Sequence, residues 1–170
     1  SRGLGDVYKR QNEDIHLGEL SMGQKKKVFM CFALATNTSL LVMDEPSNGL
    51  DIPSKSQFRK VIASGMTDEK AVIISTHQVR DIDSLLDHVV IIDGTRVLLN
   101  ESVKTICEKL YFVEQGMNES TDTALYVQPS VQGNSVIFPN TYNEETNLNL
   151  EVLFNAMLTE REKMQFLFNK

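Results

Sequence analysis

Leu40-Leu41-Val42-Met43-Asp44-Glu45-Pro46 is a four-residue apolar run that ends on two adjacent carboxylates and a proline. Such a run, without polar alternation, reads as a strand buried on both faces, the kind found in parallel sheets. Upstream, Ser21 and Gln24 form an S-x-x-Q capping box, and Val28, Phe29, Phe32 and Ala35 then recur at helical spacing, so a helix is expected from Ser21 to near Asn37. Downstream, Asp51 followed by Pro53 opens another helix, running to about Ser64 with Gly65 as its stop. Ala71 to Thr76 reads as a second buried strand, delivering His77 at its end. Val79, Ile82, Leu85 and Leu86 give one face of a further helix, and Val89 to Asp93, Gly94 and Arg96 to Leu99 read as a hairpin around Asp93-Gly94. Helix, strand, helix, strand, helix and hairpin in that order describe an α/β fold with a mainly parallel sheet.

Composition limits what surrounds this segment. A chain of 170 residues with 41% hydrophobic residues holds one packed domain, or one with an appendage. Its 17 Lys and Arg against 23 Asp and Glu provide no general pull toward nucleic acid or an anionic membrane. Apolar runs such as Val89 to Ile92 fall far short of the roughly 20 residues that a membrane helix needs. Cys31 and Cys107 have neither disulfide-framework nor metal-ligand spacing, which fits a reducing, cytosolic compartment and two plain buried hydrophobes. Residues 1–99 carry 12 basic and 13 acidic side chains, whereas 100–170 carry 5 and 10, so charge and texture change near Asn100. Residues 1–99 are therefore expected to form one domain and 100–170 a small α+β extension. In that extension, residues 115–149 are rich in Asn, Gln, Ser and Thr, with apolar patches at Ala124 to Val127 and Val136 to Phe138. Val152, Leu153, Ala156, Met157 and Leu158, extended by Met164, Phe166, Leu167 and Phe168, predict an amphipathic helix over about 150–168; packing on its own domain is the ordinary reading, with pairing to its copy in a dimer or binding a regulator beside it.

Open α/β sheets bind ligands along the carboxyl edge of their strands, so Asp44, Glu45 and His77 are expected to share one crevice. Adjacent acids there suit magnesium-nucleotide chemistry: one holds the hydrated cation while its neighbour orients or deprotonates the attacking water. His77 is placed to hydrogen-bond a terminal phosphate. Taken alone, each feature also has an ordinary structural reading, Asp-Glu-Pro as a turn and His77 as a packing residue.

Joined in order, Leu20-Ser21-Met22-Gly23-Gln24, the Leu40 to Pro46 strand, Ser47-Asn48-Gly49-Leu50-Asp51 and Ser75-Thr76-His77 resemble the signature motif, Walker B strand, D-loop and switch histidine of the ABC (ATP-binding cassette) ATPase domain. The resemblance covers about residues 12–99 and implies a partial P-loop NTPase fold, with ATP and Mg2+ as cofactors. It assigns Asp44 to magnesium through water, Glu45 to the general base and His77 to the γ-phosphate. Ser21, Gly23 and Gln24 would serve nucleotide held by the opposite subunit, with Ser21 offering its hydroxyl and Gly23 a backbone N–H at a helix amino end. Asp51 would reach across the same dimer seam, with Ser47 near it. Met22 departs from the family's commonest glycine and bears on the fine geometry of that contact. Lys25, Lys26 and Lys27 oppose the helix dipole, a cost that a nearby polyphosphate would offset, and are read as a solvated basic face in preference to that.

A phosphate-cradling P-loop needs G-x-x-x-x-G-K-[ST], and the nearest candidate, Gly18 to Gly23, is followed by Gln24 instead of Lys. The first half of the ATPase domain, with its P-loop and glutamine loop, is therefore expected upstream, and the chain alone is expected to be inactive. Residues 1–11 show no feature assignable to the family. The resemblance implies the ATP-hydrolysing subunit of a transporter, leaning toward a bacterial exporter-type system, cytoplasmic and peripheral at the inner face of the membrane. Its partners would be a second ATPase subunit and membrane-spanning subunits, with no nucleic acid. Two other readings stand beside it: a soluble ABC ATPase acting on ribosomes or DNA, and a non-catalytic remnant whose tail mediates assembly.

Overall fold

The computed structural model describes residues 16–168, so the unassigned segment 1–11 lies outside it. The chain divides into two compact units at Asp81/Ile82, so the hairpin belongs to the second unit. The change in composition near Asn100 falls inside a strand of that hairpin.

In the first unit, helix α1 spans Met22–Ala35 and is capped as its sequence predicts: Ser21 Oγ accepts from Gln24 N while Gln24 Oε1 accepts from Ser21 N. Asn37, in the left-handed region at φ 53°, lies two residues past its end, a conformation Asn tolerates. Strand β1 (Leu40–Asp44) and strand β2 (Ala71–Ser75) pair in parallel, with Leu40 opposite Ala71 and Asp44 opposite Ser75. A parallel pair needs a crossover, which helix α2 (Ile52–Gly65) supplies. Asp51 caps α2 by accepting from Ser54 N at 2.9 Å, and Pro53 sits in its first turn where no N–H is needed. Phe58 and Ile62 of α2 are buried, each contributing about 1.5–3 kcal/mol of hydrophobic stabilisation.

Two expectations are corrected here. The strands are covered on one face only: Leu40, Val42 and Ile73 remain exposed among the described residues. The apolar repeat of α1 is likewise open at Phe29 and Phe32, while Ala33 and Leu34 face a cleft shared with Leu41, Ile62 and Val72. The helix expected from Val79 is replaced by two 3₁₀ turns, Val79–Asp81 and Asp83–Leu85. Val79, Ile82 and Leu85 recur every three residues, which fits the 3₁₀ period as well as one face of an α-helix.

The second unit opens with the antiparallel hairpin β3 (His88–Asp93) and β4 (Arg96–Ser102), turned at Gly94 with φ 58°. Helix α3 (Val103–Lys109), capped by Ser102, runs directly into a three-stranded antiparallel sheet of β5 (Leu110–Gln115), β6 (Tyr126–Ser130) and β7 (Gly133–Pro139), in the order β5-β7-β6. Gly133, at φ 151°, is the one residue type that fits its turn, because an added Cβ would lie 2.1 Å from the Gln115 carbonyl oxygen. The tail helix forms as two pieces, α4 (Leu150–Thr159) and α5 (Arg161–Phe168), because the backbone leaves the helical region at Glu160. Ile106, Leu110, Ile137, Leu153, Met157 and Met164 are fully buried and make the core of this unit. Polar bonds hold α5 in place: Arg161 pairs with Asp93, Lys163 Nζ donates to the Ala124 and Leu125 carbonyls at 3.0 Å, and Lys109 Nζ donates to Leu167 O at 2.6 Å. The tail thus packs within the second unit. Cys31 and Cys107 are half-buried rather than buried, and desolvation pushes the Cys107 thiol up despite a hydrogen bond with the Leu148 backbone.

Candidate functional site

The parallel register of β1 and β2 carries Asp44 and Ser75 to the same level, so the residues that follow each strand emerge side by side. Ser75 Oγ donates to Asp44 Oδ1, and among the described residues no hydrogen bond occupies Asp44 Oδ2. Glu45 leaves the strand at φ 45°, unusual for a residue with a Cβ. Its amide donates to Ser75 O at 2.9 Å, so the turn starts from the last rung of the sheet.

The Glu45 carboxylate is the centre of the cluster. Oε1 accepts from His77 N at 2.9 Å and pairs with His77 Nδ1 at 2.6 Å, while Oε2 accepts from Thr76 Oγ1 at 3.1 Å. Partial burial pushes this carboxyl up, but the hydrogen bonds from His77 and Thr76, with the His77 charge when present, outweigh it and hold its pKa below the ordinary glutamate value. A carboxylate offers about four lone-pair sites, and three are taken, which leaves one acceptor position on Oε2. The His77 side chain is 70% exposed against 27% for Glu45, so the imidazole is the outer member of the pair. With Nδ1 committed to Glu45, Nε2 donates outward only when the ring carries both protons.

Loop 46–50 follows in two successive turns, Asn48 N donating to Glu45 O and Leu50 N to Ser47 O. Ser47 is fully buried, and its Oγ has no hydrogen-bond partner among the described residues. Asp51 closes the loop as the cap of α2. The Ser54 hydroxyl and amide, helped by the charge of Lys27, hold its carboxyl below the usual aspartate range.

Helix α1 meets this loop from the other side. A Cβ on Gly23 would lie 3.7 Å from Gly49 O, an ordinary contact that places the start of α1 beside the loop. Lys26 Nζ donates to Asn48 O at 2.6 Å and to Glu45 O at 3.2 Å. Lys26 is therefore not part of a solvated face, because two carbonyls lie within reach of its ammonium and satisfy it. Ser21 and Gln24 bond each other in the capping box; the Ser21 hydroxyl proton and the first amides of α1 point to no partner among the described residues. Sequence reasoning placed Ser75 and Thr76 in the switch-histidine motif without a role of their own and took Lys26 as one of three solvated lysines, so their bonds to Asp44, to the Glu45 carboxylate and to the Glu45 carbonyl were missed. Strand register gives a signal for Ser75, opposite Asp44, but the partners of Lys26 are backbone carbonyls that carry no sequence mark.

No family model matches the chain. It is 33% identical over 107 residues to the chelated iron transport system membrane protein YfeB of Yersinia pestis, covering 63% of this chain and 34% of that protein. It is 31% identical over 96 residues to an uncharacterized ABC transporter ATP-binding protein of Methanocaldococcus jannaschii, covering 56% of this chain and 37% of the relative. An energy-coupling factor transporter ATP-binding protein of Mycoplasmoides gallisepticum is 33% identical over 85 residues, 50% of this chain and 27% of its own length. The matches thus span about a third of these relatives.

Proposed function

We infer that this chain carries part of an ATP-binding cassette ATPase domain, and on that premise propose that the full-length protein containing it binds and hydrolyses ATP to drive a membrane transporter. The observation that supports this reading best is the Glu45 carboxylate, held by His77 and Thr76 beside Asp44 at the ends of two parallel strands.

Each side chain then has a task that its bonding permits. Asp44 keeps Oδ2 available for the hydrated magnesium ion, while Ser75 fixes its other oxygen. The metal, when bound, supplies charge neutralisation on the phosphates. Glu45 is the general base: the acceptor position that His77 and Thr76 leave open on its carboxylate takes a proton of the attacking water. His77 in its doubly protonated form donates Nε2–H to the γ-phosphate while Nδ1–H orients Glu45. Ser21 and the first amides of α1, at Met22 and Gly23, offer donors at a helix amino end to a γ-phosphate held by a second ATPase subunit, with Gln24 holding Ser21 in place. Asp51 and the buried Ser47 shape the loop that faces the same seam.

Among the described residues no helix is long and apolar enough to cross a membrane; the transport-system names of the relatives support the reading that separate membrane-spanning subunits form the translocating path. Peripheral association at the cytoplasmic face follows from that division of labour. The test is steady-state Mg-ATP turnover by the full-length protein and its Asp44→Asn and His77→Ala variants. Both variants are expected to lose more than about tenfold, within the range of single catalytic groups; turnover unchanged in both would contradict the assignment.

A further inference from the structure

Glu45 holds a left-handed backbone conformation that costs a residue with a Cβ of order 1–2 kcal/mol, so surrounding bonds must fix it. Three are visible. Its amide donates to Ser75 O, its carbonyl accepts from Asn48 N at 3.2 Å, and the same carbonyl accepts from Lys26 Nζ at 3.2 Å. The first two bonds are local, made within the strand end and the turn. The third comes from a different element, helix α1, and the ammonium also takes Asn48 O at 2.6 Å, so it grips both ends of the turn at once.

The grip continues into a polar network. Asn48 Oδ1 accepts from Gln78 Nε2 at 3.5 Å, Gln78 N donates to Thr76 Oγ1 at 2.9 Å, and Thr76 Oγ1 donates to Glu45 Oε2. The backbone of Glu45 is thus held through Lys26, and its carboxylate through Thr76, by one connected set of bonds. A cation near a helix amino end opposes the dipole, and two satisfied carbonyl contacts are what offset that cost here.

We propose that Lys26 is a positioning residue: it clamps the Glu45 and Asn48 carbonyls to the first turns of α1 and so sets the direction in which the Glu45 carboxylate points. This rests on the reading of Glu45 as the base for ATP hydrolysis. Because the clamp joins the helix that carries Ser21 and Gly23 to the backbone of Glu45, a shift of α1 is passed to the carboxylate without any contact between Lys26 and the nucleotide.

The experiment is single-turnover and steady-state ATP hydrolysis by the full-length protein, comparing wild type, Lys26→Met, Lys26→Arg, Glu45→Gln and the Lys26→Met/Glu45→Gln double variant. Loss of positioning should lower kcat roughly tenfold or more with the KM for ATP unchanged, since misplacement by about 1 Å can cost that much. Lys26→Arg, which keeps donors at similar reach, should recover most of the loss. In the Glu45→Gln background Lys26→Met should have no further effect, because residues acting as a unit are non-additive. Equal losses in both backgrounds, as general destabilisation would give, overturn the clamp. An unchanged kcat for Lys26→Met beside a collapsed Glu45→Gln also overturns the clamp while sparing the base assignment. Normal turnover by Glu45→Gln overturns the base assignment itself, and the clamp with it.

Discussion

Replacing Thr76 by valine removes a hydroxyl and keeps the shape of the side chain, so it removes the bond to Glu45 together with the one accepted from Gln78 N. Thr76 Oγ1 donates to Glu45 Oε2 at 3.1 Å and accepts from Gln78 N at 2.9 Å. A hydrogen bond to an ionised acceptor contributes about 1.5–3 kcal/mol. About a quarter of the Glu45 side chain is open to water, which points to the lower end, about 1.5 kcal/mol for the bond itself; a carboxylate that has lost this anchor is misplaced toward the water, which is expected to lower turnover roughly tenfold. Thr76 also helps to hold the Glu45 carboxyl below its ordinary value, against the opposing push of burial. A carboxylate with a depressed folded-state pKa stabilises the fold above its unfolded value, and that contribution fades as pH falls through the folded value. Without the hydroxyl the Glu45 pKa rises, so the acid limb of the turnover profile moves to higher pH. The assay is kcat against pH for the full-length protein, Thr76→Val and Thr76→Ser. Thr76→Ser keeps the donor and should track wild type. An acid limb and a plateau that Thr76→Val leaves in place would refute the reasoning.

Other expectations concern the second unit and the isolated chain. Leu153→Ala should cost about 2–5 kcal/mol in a denaturant melt, because the side chain is fully buried, whereas Phe166→Ala, at an 82% exposed position, should stay within about 0.5 kcal/mol. The purified 170-residue chain, whose sequence holds no P-loop, should neither bind a fluorescent ATP analogue at micromolar concentration nor hydrolyse ATP, as a titration of that analogue would reveal.

Local rules made much of the first unit legible. The Ser21–Gln24 box, the Asp51 cap with Pro53, and the two apolar runs each carry their own signal, and each element forms where those residues lie. The shared placement of Asp44, Glu45 and His77 followed from parallel strands ending together, which needs no knowledge of distant contacts. What stayed hidden depends on tertiary partners. Lys26 reads as one of three lysines on a helix until the fold brings the Glu45 and Asn48 carbonyls within reach. Strand β5 begins at Leu110 directly after α3 without a glycine or proline to mark the change, and the other two strands of its sheet, β6 and β7, lie in a polar segment whose apolar patches are short. The two turns at 79–85 share an apolar spacing of three with one face of a helix, so periodicity could not separate them. The break at Glu160 leaves the apolar pattern of the tail intact across α4 and α5, because Met164 still reaches the core that Leu153 and Met157 build.

The central claim is that Glu45 activates the hydrolytic water in a site that binds ATP. The measurement that bears on it most directly is ATP turnover and ATP binding by the full-length protein and its Glu45→Gln variant, side by side. Loss of a general base predicts a fall in turnover of about 100-fold or more with nucleotide affinity retained. A variant that turns over like wild type, or a full-length protein that binds ATP and never hydrolyses it, would contradict the account.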